Sequence, residues 1–442
     1  MTGREYDQTL LIVESPSVAR IIDSLHLPAL QTWSSNGYCW KPYYNPKTGN
    51  LEPRVNPRQT EDRNQLKKLA RWANRIIVAT DTDPSGVFLA EAVRRFLKHH
   101  VLHRGYLTTL SRAGINHTVK NTSTLGKEDF DILQRRSYVR NRLCKSDELL
   151  WIRLSTIAFF TQNPYPLRFV DRKQRYWRCT DPDATGNIPV TVHNPEAWYP
   201  EPFSPPTTLC LLNSLDGCGN SFASAQNELE KAFVTSAREG FPISYPRSAS
   251  GGWYYNSWLA LISQLQKLHP AENLLPASLW SVCDEAEPHE ALHVLNPADH
   301  SPAEVRPYVT RSHYLIYEKL HQHTVRALSA VPNSHPDPQD RLTPVQTTAN
   351  WIRYLAASHA CSPSSIGKIT DRLLTGQLIT IPSGSDEIYP GPHFDTWRNS
   401  VNPENTRQLI AALGNAVSAS DTSQAHIKEC TDELMSSITM KI

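Results

Sequence analysis

The chain has 442 residues, with 45 Lys and Arg against 43 Asp and Glu, so its formal net charge is only +2. This length exceeds one ordinary hydrophobic core, and we expect two to four domains. The charge balance neither supports nor excludes nucleic-acid binding, because a local basic groove can supply the phosphate contacts. No run of about 18 apolar residues is present, so no helix that spans a membrane is indicated, and we expect no membrane partner.

The first 110 residues follow an α/β pattern. Residues 10–13 (LLIV) form a short apolar run that is typical of a buried parallel strand. Ser15 then stands as a helix N-cap before Pro16. A second buried strand is predicted at residues 76–79 (IIVA), between two amphipathic helices. Strands alternating with helices predict an open parallel sheet, whose ligands bind beyond the carboxyl ends of the strands.

Acidic residues follow both of these strands. Glu14 ends the first strand, and Asp81 and Asp83 follow the second. Carboxylate oxygens are the ligands that Mg²⁺ prefers, so these three residues are candidates for a Mg²⁺ site. Taken alone, the two aspartates are equally well explained as helix caps and turn formers.

Later segments read mostly as helices. A basic helix is predicted at residues 128–143, and a Pro-rich, poorly periodic stretch follows at 179–210. Beyond these we predict helices at 224–240, 252–270, 346–357, 364–375, 404–417 and 424–438, a strand at 378–381 and a linker at 333–340.

The eight cysteines are scattered through the chain and form no CxxC pair, so no zinc ribbon is indicated. They fit buried thiols in a reducing compartment better than a disulfide framework. The first eight residues are polar and charged, unlike a secretory signal. We therefore expect a cytoplasmic protein.

Three N-terminal segments resemble the TOPRIM domain of the type IA DNA topoisomerases. Residues 11–17 (LIVESPS) resemble its opening strand and turn, residues 33–37 (WSSNG) its Ser-x-Gly turn, and residues 79–86 (ATDTDPSG) its Asp-x-Asp motif. These segments alone would leave primases and nucleases open.

Two further segments favour the topoisomerases. Residues 240–248 (GFPISYPRS) resemble the segment that carries the family's nucleophilic tyrosine, here Tyr245, with Arg247 placed to neutralise a phosphate. A phosphotyrosine stores the energy of the broken bond, so resealing needs no ATP. Residues 287–292 (EPHEAL) resemble the family's His-Glu-Ala motif, which makes His289 a candidate for phosphate contact or proton transfer. Out of context, Tyr245 would be an ordinary half-buried strand residue and His289 an ordinary histidine.

Other matches follow in the family's order. They are residues 154–172, 202–203 with Leu209, 314–317 (YLIY), and 361–365 (CSPSS) with 376–379 (GQLI). The resemblance implies DNA contacts by Gln162, Arg172, Arg247 and Ser364, and catalytic roles for Tyr245, Arg247, Glu14 and His289. Bases of single-stranded DNA could also stack on Trp177 or Tyr138.

The resemblance implies a multidomain fold of the α/β + α class, with a Rossmann-like parallel TOPRIM sheet, a mostly helical core and a short β arch. The expected domains are TOPRIM (1–110), a helical DNA-binding domain (111–175 and 335–442), arch and hinge segments (176–215 and 300–334) and a catalytic-tyrosine domain (216–299). The implied activity is cleavage and religation of single-stranded DNA, to relax or decatenate DNA, with Mg²⁺ as cofactor. Single-stranded segments of duplex DNA would be the partner, near the nucleoid. The sequence does not fix the oligomeric state, and we expect a monomer.

The sequence also departs from the family's pattern. Val18 stands where the family has a lysine, Ser85 and Ala249 where it has acids, Phe160 where it has a gate arginine, and Ser137–Tyr138 where it has an arginine pair. The alternatives are therefore a catalytically degenerate DNA-binding or regulatory protein with this fold, and a nuclease-like enzyme that cleaves but reseals poorly.

Overall fold

A computed structural model of the chain describes most residues between 7 and 417. The described ranges are 7–35, 39–45, 48–81, 83–146, 148–162, 168–173, 175–179, 189–200, 206–215, 221–248, 250–268, 289–329, 335–359, 361 and 363–417. The helix predicted at 424–438 lies outside the described residues.

The N-terminal part is built on a five-stranded sheet. Its strands run in the order β2-β1-β5-β6-β7, with the first four parallel and the last antiparallel, and a separate hairpin joins β3 to β4. The elements are β1 (Thr9–Val13), α1 (Pro16–Ser24), β2 (Leu30–Ser34), β3 (Trp40–Tyr44), β4 (Leu51–Val55), α2 (Thr60–Trp72), β5 (Arg75–Val78), α3 (Pro84–Phe96), β6 (Leu102–Arg104), α4 (Arg112–Lys120) and β7 (Ser123–Thr124).

Strand β1 is buried on both faces, as its apolar sequence predicts. Leu11 and Val13 face one hydrophobic cluster, and Leu10 and Ile12 face another, because successive side chains of a strand point to opposite sides. The predicted start of the next helix is confirmed: Ser15 is its N-cap and accepts a hydrogen bond from the Ser17 amide at 3.2 Å. The chain therefore leaves the sheet directly after Glu14.

The rest of the chain is mainly helical. The helices are α5 (Glu128–Ser146), α6 (Glu148–Gln162), α7 (Thr208–Asn213), α8 (Phe222–Arg238), α9 (Tyr255–Leu268), α10 (Pro302–Val305), α11 (Arg311–Leu328), α12 (Thr348–His359), α13 (Pro363–Thr375), α14 (Phe394–Ser400) and α15 (Pro403–Val417), with single 3₁₀ turns at Pro57–Gln59, Pro195–Ala197 and Arg306–Tyr308. A parallel α/β sheet combined with helical regions confirms the predicted fold class. None of the helices within the described ranges is long and apolar enough to cross a membrane.

A second, antiparallel sheet joins segments that are distant in sequence. Its order is β11-β9-β8-β12-β14-β13, with β10 also paired to β12. The strands are β8 (Arg168–Val170), β9 (Tyr176–Cys179), β10 (Val190–Thr191), β11 (Trp198–Pro200), β12 (Arg341–Thr347), β13 (Ile379–Thr380) and β14 (Glu387–Pro390). The helix predicted near residues 346–357 is present as α12, and it begins at Thr348 because Gln346 and Thr347 pair with β14. This sheet combines strands from three of the expected domain segments, and the domain boundaries stay a prediction.

Three cysteines among the described side chains are buried: Cys39, Cys210 and Cys361. Burial raises the pKa of the Cys39 thiol to about 11, and that of the Cys210 thiol further still. These thiols are therefore protonated and inert at neutral pH. This agrees with the expectation of buried thiols for these positions.

Candidate active site

Three acidic side chains meet at the carboxyl edge of the parallel sheet. Glu14 follows β1, and Asp81 and Asp83 follow the neighbouring strand β5. One carboxylate oxygen from each lies within 4.8 Å of the other two. The Asp81 amide donates a hydrogen bond of 2.9 Å to Oε1 of Glu14 and so ties the two strand ends together. The structure therefore brings together the three residues that the sequence predicted as metal ligands.

The loop that carries the aspartates is held from both sides. Arg104 of β6 is buried, and its Nη2 donates to the Asp81 carbonyl at 2.6 Å. Asp83 caps α3 and accepts a hydrogen bond from the Gly86 amide at 2.8 Å. A Cβ atom at Gly86 would lie 2.1 Å from the Asp81 carbonyl oxygen, so only glycine fits there. Asp83 is thus both a helix cap and a member of the acid cluster.

Burial and the neighbouring carboxylates disfavour the charged forms of Glu14 and Asp83. Burial and the charges of Asp81 and Asp83 raise the pKa of Glu14 to about 8. Burial and the charge of Asp81 likewise raise the pKa of Asp83 to about 6. Both groups would ionise more readily beside a cation. Three carboxylates at this spacing fit a divalent cation that takes oxygen ligands.

Tyr245 reaches this cluster from a segment far along the chain. Residues 243 and 294 form an antiparallel bridge, and the Ser244 amide donates to the His293 carbonyl at 2.9 Å. The Tyr245 amide donates to the Thr108 carbonyl at 3.0 Å, which links this segment to the N-terminal part. Burial and the nearby charge of Asp81 raise the pKa of Tyr245 well above its ordinary value. The phenol is therefore protonated at neutral pH.

Arg247 lies among the acids. Its Nη1 donates to Oδ2 of Asp81 at 2.6 Å and lies 3.4 Å from Oδ2 of Asp83. Its Nε donates to Oε1 of Glu230 at 3.0 Å. Glu230 belongs to α8, 17 residues before the arginine. Sequence reasoning missed Glu230, because a helical glutamate carries no motif that would single it out.

His289 packs flat against Tyr245. The ring centroids lie 4.2 Å apart and the planes are 18° from parallel. Burial lowers the pKa of His289 to about 4, so the imidazole is neutral at physiological pH. It can meet a phosphate only as a neutral ring. The next residue, Glu290, was also not predicted, and it accepts hydrogen bonds from the Tyr254 amide and the Ser257 hydroxyl at the start of α9.

The predicted DNA-contact residues other than Arg247 lie in separate elements. Gln162 is exposed at the end of α6, and Arg172 is exposed in the turn after β8. Ser364 falls in the first turn of α13, and its side chain lies outside the described part of the structure. No contact of these three residues with the acid cluster was predicted, and their roles stay predictions.

The two aromatic residues proposed as stacking platforms are buried, so that prediction was wrong. Trp177 is 0% exposed, and its Nε1 donates to Asp171 at 3.1 Å. Tyr138 is 7% exposed and packs against Tyr44. Neither ring has a free face for a base.

The positions that depart from the family's pattern lie in different surroundings. Val18 is half-buried in α1 and packs against the core, and Ser85 is exposed in the first turn of α3. Phe160 is buried, with edge contacts to Phe159 and Phe394. Ala249 lies outside the described residues. Position 160 has therefore become part of an aromatic core.

Comparison with solved structures relates the whole arrangement to a known protein. The structure of full-length topoisomerase I from Thermotoga maritima aligns with 97% of this chain and 90% of its own, at a TM-score of 0.60 and 13% sequence identity. The chain therefore has a topoisomerase-like fold. No protein-family model matches the sequence, and no curated protein matches it either. At this identity the likeness shows the fold alone, so the chemistry has to be argued from the residues of the site.

Proposed function

We propose that this chain is a type IA-like DNA topoisomerase that cuts and reseals single-stranded DNA through Tyr245. One observation carries the proposal: the Tyr245 phenol and the Arg247 guanidinium, from one segment, meet the Glu14–Asp81–Asp83 cluster of the parallel sheet. A nucleophile, a cation and a set of metal ligands within one site are the groups that phosphoryl transfer needs. The topoisomerase-like fold supports the same conclusion.

In this reaction Tyr245 is the nucleophile and the acid cluster transfers the proton. The Tyr245 oxygen attacks the phosphorus and its proton passes to the acid cluster, where the charge of Asp81 acts on the phenol. A bond forms between the tyrosine oxygen and phosphorus, and the bond from phosphorus to the 3′ oxygen breaks. The proton moves from the cluster to that oxygen, which leaves as a hydroxyl. Resealing reverses each step, so no ATP is consumed.

The remaining groups orient and neutralise. Arg247 can place its guanidinium on the phosphate in attack. The neutral His289 ring holds the face of Tyr245. Glu14, Asp81 and Asp83 would hold Mg²⁺, which when bound would neutralise charge at the phosphate and keep the cut ends aligned. The outcome would be relaxation or decatenation of DNA that has single-stranded segments.

Trapping of the covalent intermediate tests the proposal. The full-length protein is mixed with single-stranded DNA labelled at its 3′ end, because that label stays on the fragment joined to tyrosine, and the reaction is stopped with denaturant. We expect a labelled adduct with the wild type and with Tyr255→Phe, an exposed tyrosine of the same region, and none with Tyr245→Phe. The same adduct from Tyr245→Phe would refute the assignment of the nucleophile.

A second candidate function rests on Val18, Ser85 and Phe160. Where the resemblance implies cations or an acid, these positions carry a half-buried valine, an exposed serine and a buried phenylalanine. A DNA-binding or regulatory protein without catalysis would bind the oligonucleotide, form no adduct and leave negatively supercoiled plasmid unrelaxed with or without Mg²⁺. A nuclease-like enzyme would nick the plasmid without relaxing it.

A further inference from the structure

Arg247 is shared between carboxylates on two separate parts of the fold. Asp81 and Asp83 belong to the loop after β5, and Glu230 projects from α8. The side chains of Arg247 and Asp83 are 24% and 9% exposed, so these contacts are partly shielded from water. Shielded charges interact more strongly than surface pairs do. The guanidinium is thus a substantial part of the charge balance of the acid cluster.

The acidic partner Glu230 comes to Arg247 from a different element, because the sequence around Arg247 contains no acidic residue. Between Glu239 and Glu272 the chain has no acidic residue, so no neighbour in sequence can pair with Arg247. Helix α8 is itself well fixed, since the Phe222 amide donates to Asp371 at 2.9 Å and Leu229 is fully buried. The carboxylate of Glu230 is therefore presented from a rigid element.

Arg247 also rests on carboxylates that a metal would use. Asp81 accepts from Arg247 through Oδ2 and is one of the three residues whose carboxylates could hold a divalent cation. A guanidinium and a divalent cation that share these carboxylates repel each other, so binding of one weakens binding of the other. The hydrogen bond from Nε of Arg247 to Glu230 would keep the arginine in the site when its Nη1 leaves Asp81.

We propose that Glu230 is a positioning residue for Arg247, and that Arg247 so held is an internal counter-cation which a divalent ion displaces from Asp81 and Asp83. This inference rests on the proposed function. Displacement would free Nη1 for a DNA phosphate at the moment when the metal arrives. Metal binding and phosphate binding would then be linked through one side chain.

A double-mutant cycle on metal affinity tests this without any catalysis. Binding of Mn²⁺ ions to the full-length, DNA-free protein is measured by calorimetry for wild type, Arg247→Ala, Glu230→Ala and the double variant. Arg247→Ala should bind Mn²⁺ on the order of tenfold more tightly, because a competing cation is gone. Glu230→Ala should bind it more weakly, because the guanidinium then rests on the aspartates alone.

The double variant distinguishes an effect of Glu230 through Arg247 from a direct effect of its charge on the metal. If Glu230 acts through Arg247, its removal changes nothing further once Arg247 is alanine, and the double variant matches Arg247→Ala. A through-space charge effect of Glu230 would persist in that background and would overturn the proposal. An Arg247→Ala protein that binds Mn²⁺ no more tightly than wild type, or a complete lack of Mn²⁺ binding in all four proteins, would overturn it as well.

Glu228 supplies the matched control. It lies on the same helix and carries the same charge, but it pairs with Lys231 at 2.6 Å instead. Glu228→Ala should leave Mn²⁺ affinity within about twofold of wild type, since surface pairs contribute little. If Glu230→Ala does not fold, as judged by thermal unfolding, Glu230→Gln replaces it in the cycle, because glutamine removes the charge with little change of shape.

Cleavage supplies a second readout. In single-turnover cleavage, Glu230→Ala should be slow, and Glu230→Gln should recover part of the rate, because its amide oxygen can still accept from Nε. The absence of this partial rescue in folded proteins would contradict a positioning role. If Tyr245 forms no adduct but the Mn²⁺ cycle behaves as expected, only the proposed function fails. If the adduct forms and the cycle is additive, only this inference fails.

Discussion

The rings of Tyr245 and His289 stack 4.2 Å apart, and the segments that carry them are joined by backbone hydrogen bonds. The charge of Asp81 acts on the phenol of Tyr245. The ring of Phe233 packs edge-on against the Tyr245 ring, with a distance of 5.6 Å between the ring centroids. The phenol is therefore fixed on several sides before any substrate arrives. Because His289 is buried and neutral, its contribution is shape and exclusion of water, while Arg247 contributes positive charge to the site.

The neutral state of His289 makes stability depend on pH. Its pKa is lowered in the folded chain from 6.5 to about 4, so between these values the unfolded chain binds the proton more readily. The contribution of His289 to the free energy of unfolding should therefore fall as the pH falls through this window. For this one group the loss is on the order of 2 kcal/mol at about pH 5.

Chemical unfolding at pH 7 and pH 5 checks this prediction. His289→Gln cannot titrate and should lose about 2 kcal/mol less than wild type over that interval. His99→Gln, at an exposed surface position, should follow the wild type. Equal losses for all three proteins would mean that His289 is not held neutral by burial.

The acid cluster should give the stability of the metal-free chain the opposite dependence on pH, and a divalent metal should offset it. The pKa of Glu14 is raised to about 8 and that of Asp83 to about 6, so the folded, metal-free chain keeps protons that the unfolded chain has lost. The contribution of these two groups to its stability therefore falls as the pH rises from about 4.5 towards about 8. Metal ligation needs deprotonated carboxylates, so binding should tighten over the same interval.

Thermal unfolding measures this directly. At a fixed excess of Mg²⁺, the rise in melting temperature should be larger at pH 8 than at pH 6. The Asp81→Asn, Asp83→Asn double variant should show no such rise, and it should also relax DNA more slowly than wild type. A double variant that keeps the full response, or that relaxes DNA at the wild-type rate, would show that the cluster is only structural.

Gly86 should be intolerant of any side chain. A methyl group there would lie 2.1 Å from the Asp81 carbonyl oxygen, a backbone atom that cannot move without displacing the acid loop. We expect Gly86→Ala to lower the free energy of unfolding by about 1–3 kcal/mol and to weaken the Mg²⁺ response. Gly251→Ala is the matched control, since nothing lies within 4 Å of its added Cβ. Equal stability of the two variants would contradict the steric argument.

Much of the site followed from local sequence. Glu14, Asp81 and Asp83 could be predicted because each directly follows a short apolar strand, and parallel strands deliver their ends to one edge. The N-cap at Ser15 could also be predicted from local sequence, because a serine followed by a proline is typical of the start of a helix. Tyr245 and Arg247 depended on the resemblance, because nothing in the periodicity joins residue 245 to residue 81.

The failures have a common physical cause, namely packing between distant segments. Helix α6 was not predicted as a helix, and between residues 151 and 160 it has no exposed face to give a helical period, since residues 151, 152 and 154–160 are all buried. Trp177 was proposed as a stacking platform for bases, but in the second sheet its side chain is fully buried. Glu230 meets Arg247 only because α8 and the tyrosine segment are folded against the same sheet edge.

The last prediction concerns the cation that is missing near the nucleophile. Val18 is the third residue of α1 and packs against the core cluster that Tyr245 also contacts. Arg20 does not replace the missing lysine, because its exposed guanidinium is bonded to the Pro16 carbonyl and the Ser17 hydroxyl. Loss of one electrostatic contact to a transition state typically costs on the order of 100- to 1000-fold in rate. We therefore expect a slow enzyme.

Val18→Lys should accelerate adduct formation in single-turnover cleavage, with DNA affinity unchanged. The lysine stem can cover the apolar surface that valine covers now, while its ammonium extends towards the phosphate. Val18→Met, of similar length but uncharged, separates charge from size and should give no gain. No gain from lysine either would mean that another cation, with Arg247 the nearest candidate, already fills the role. A wild-type rate equal to that of ordinary relaxing topoisomerases would refute the slow-enzyme prediction itself, since the charge missing at position 18 would then have no cost.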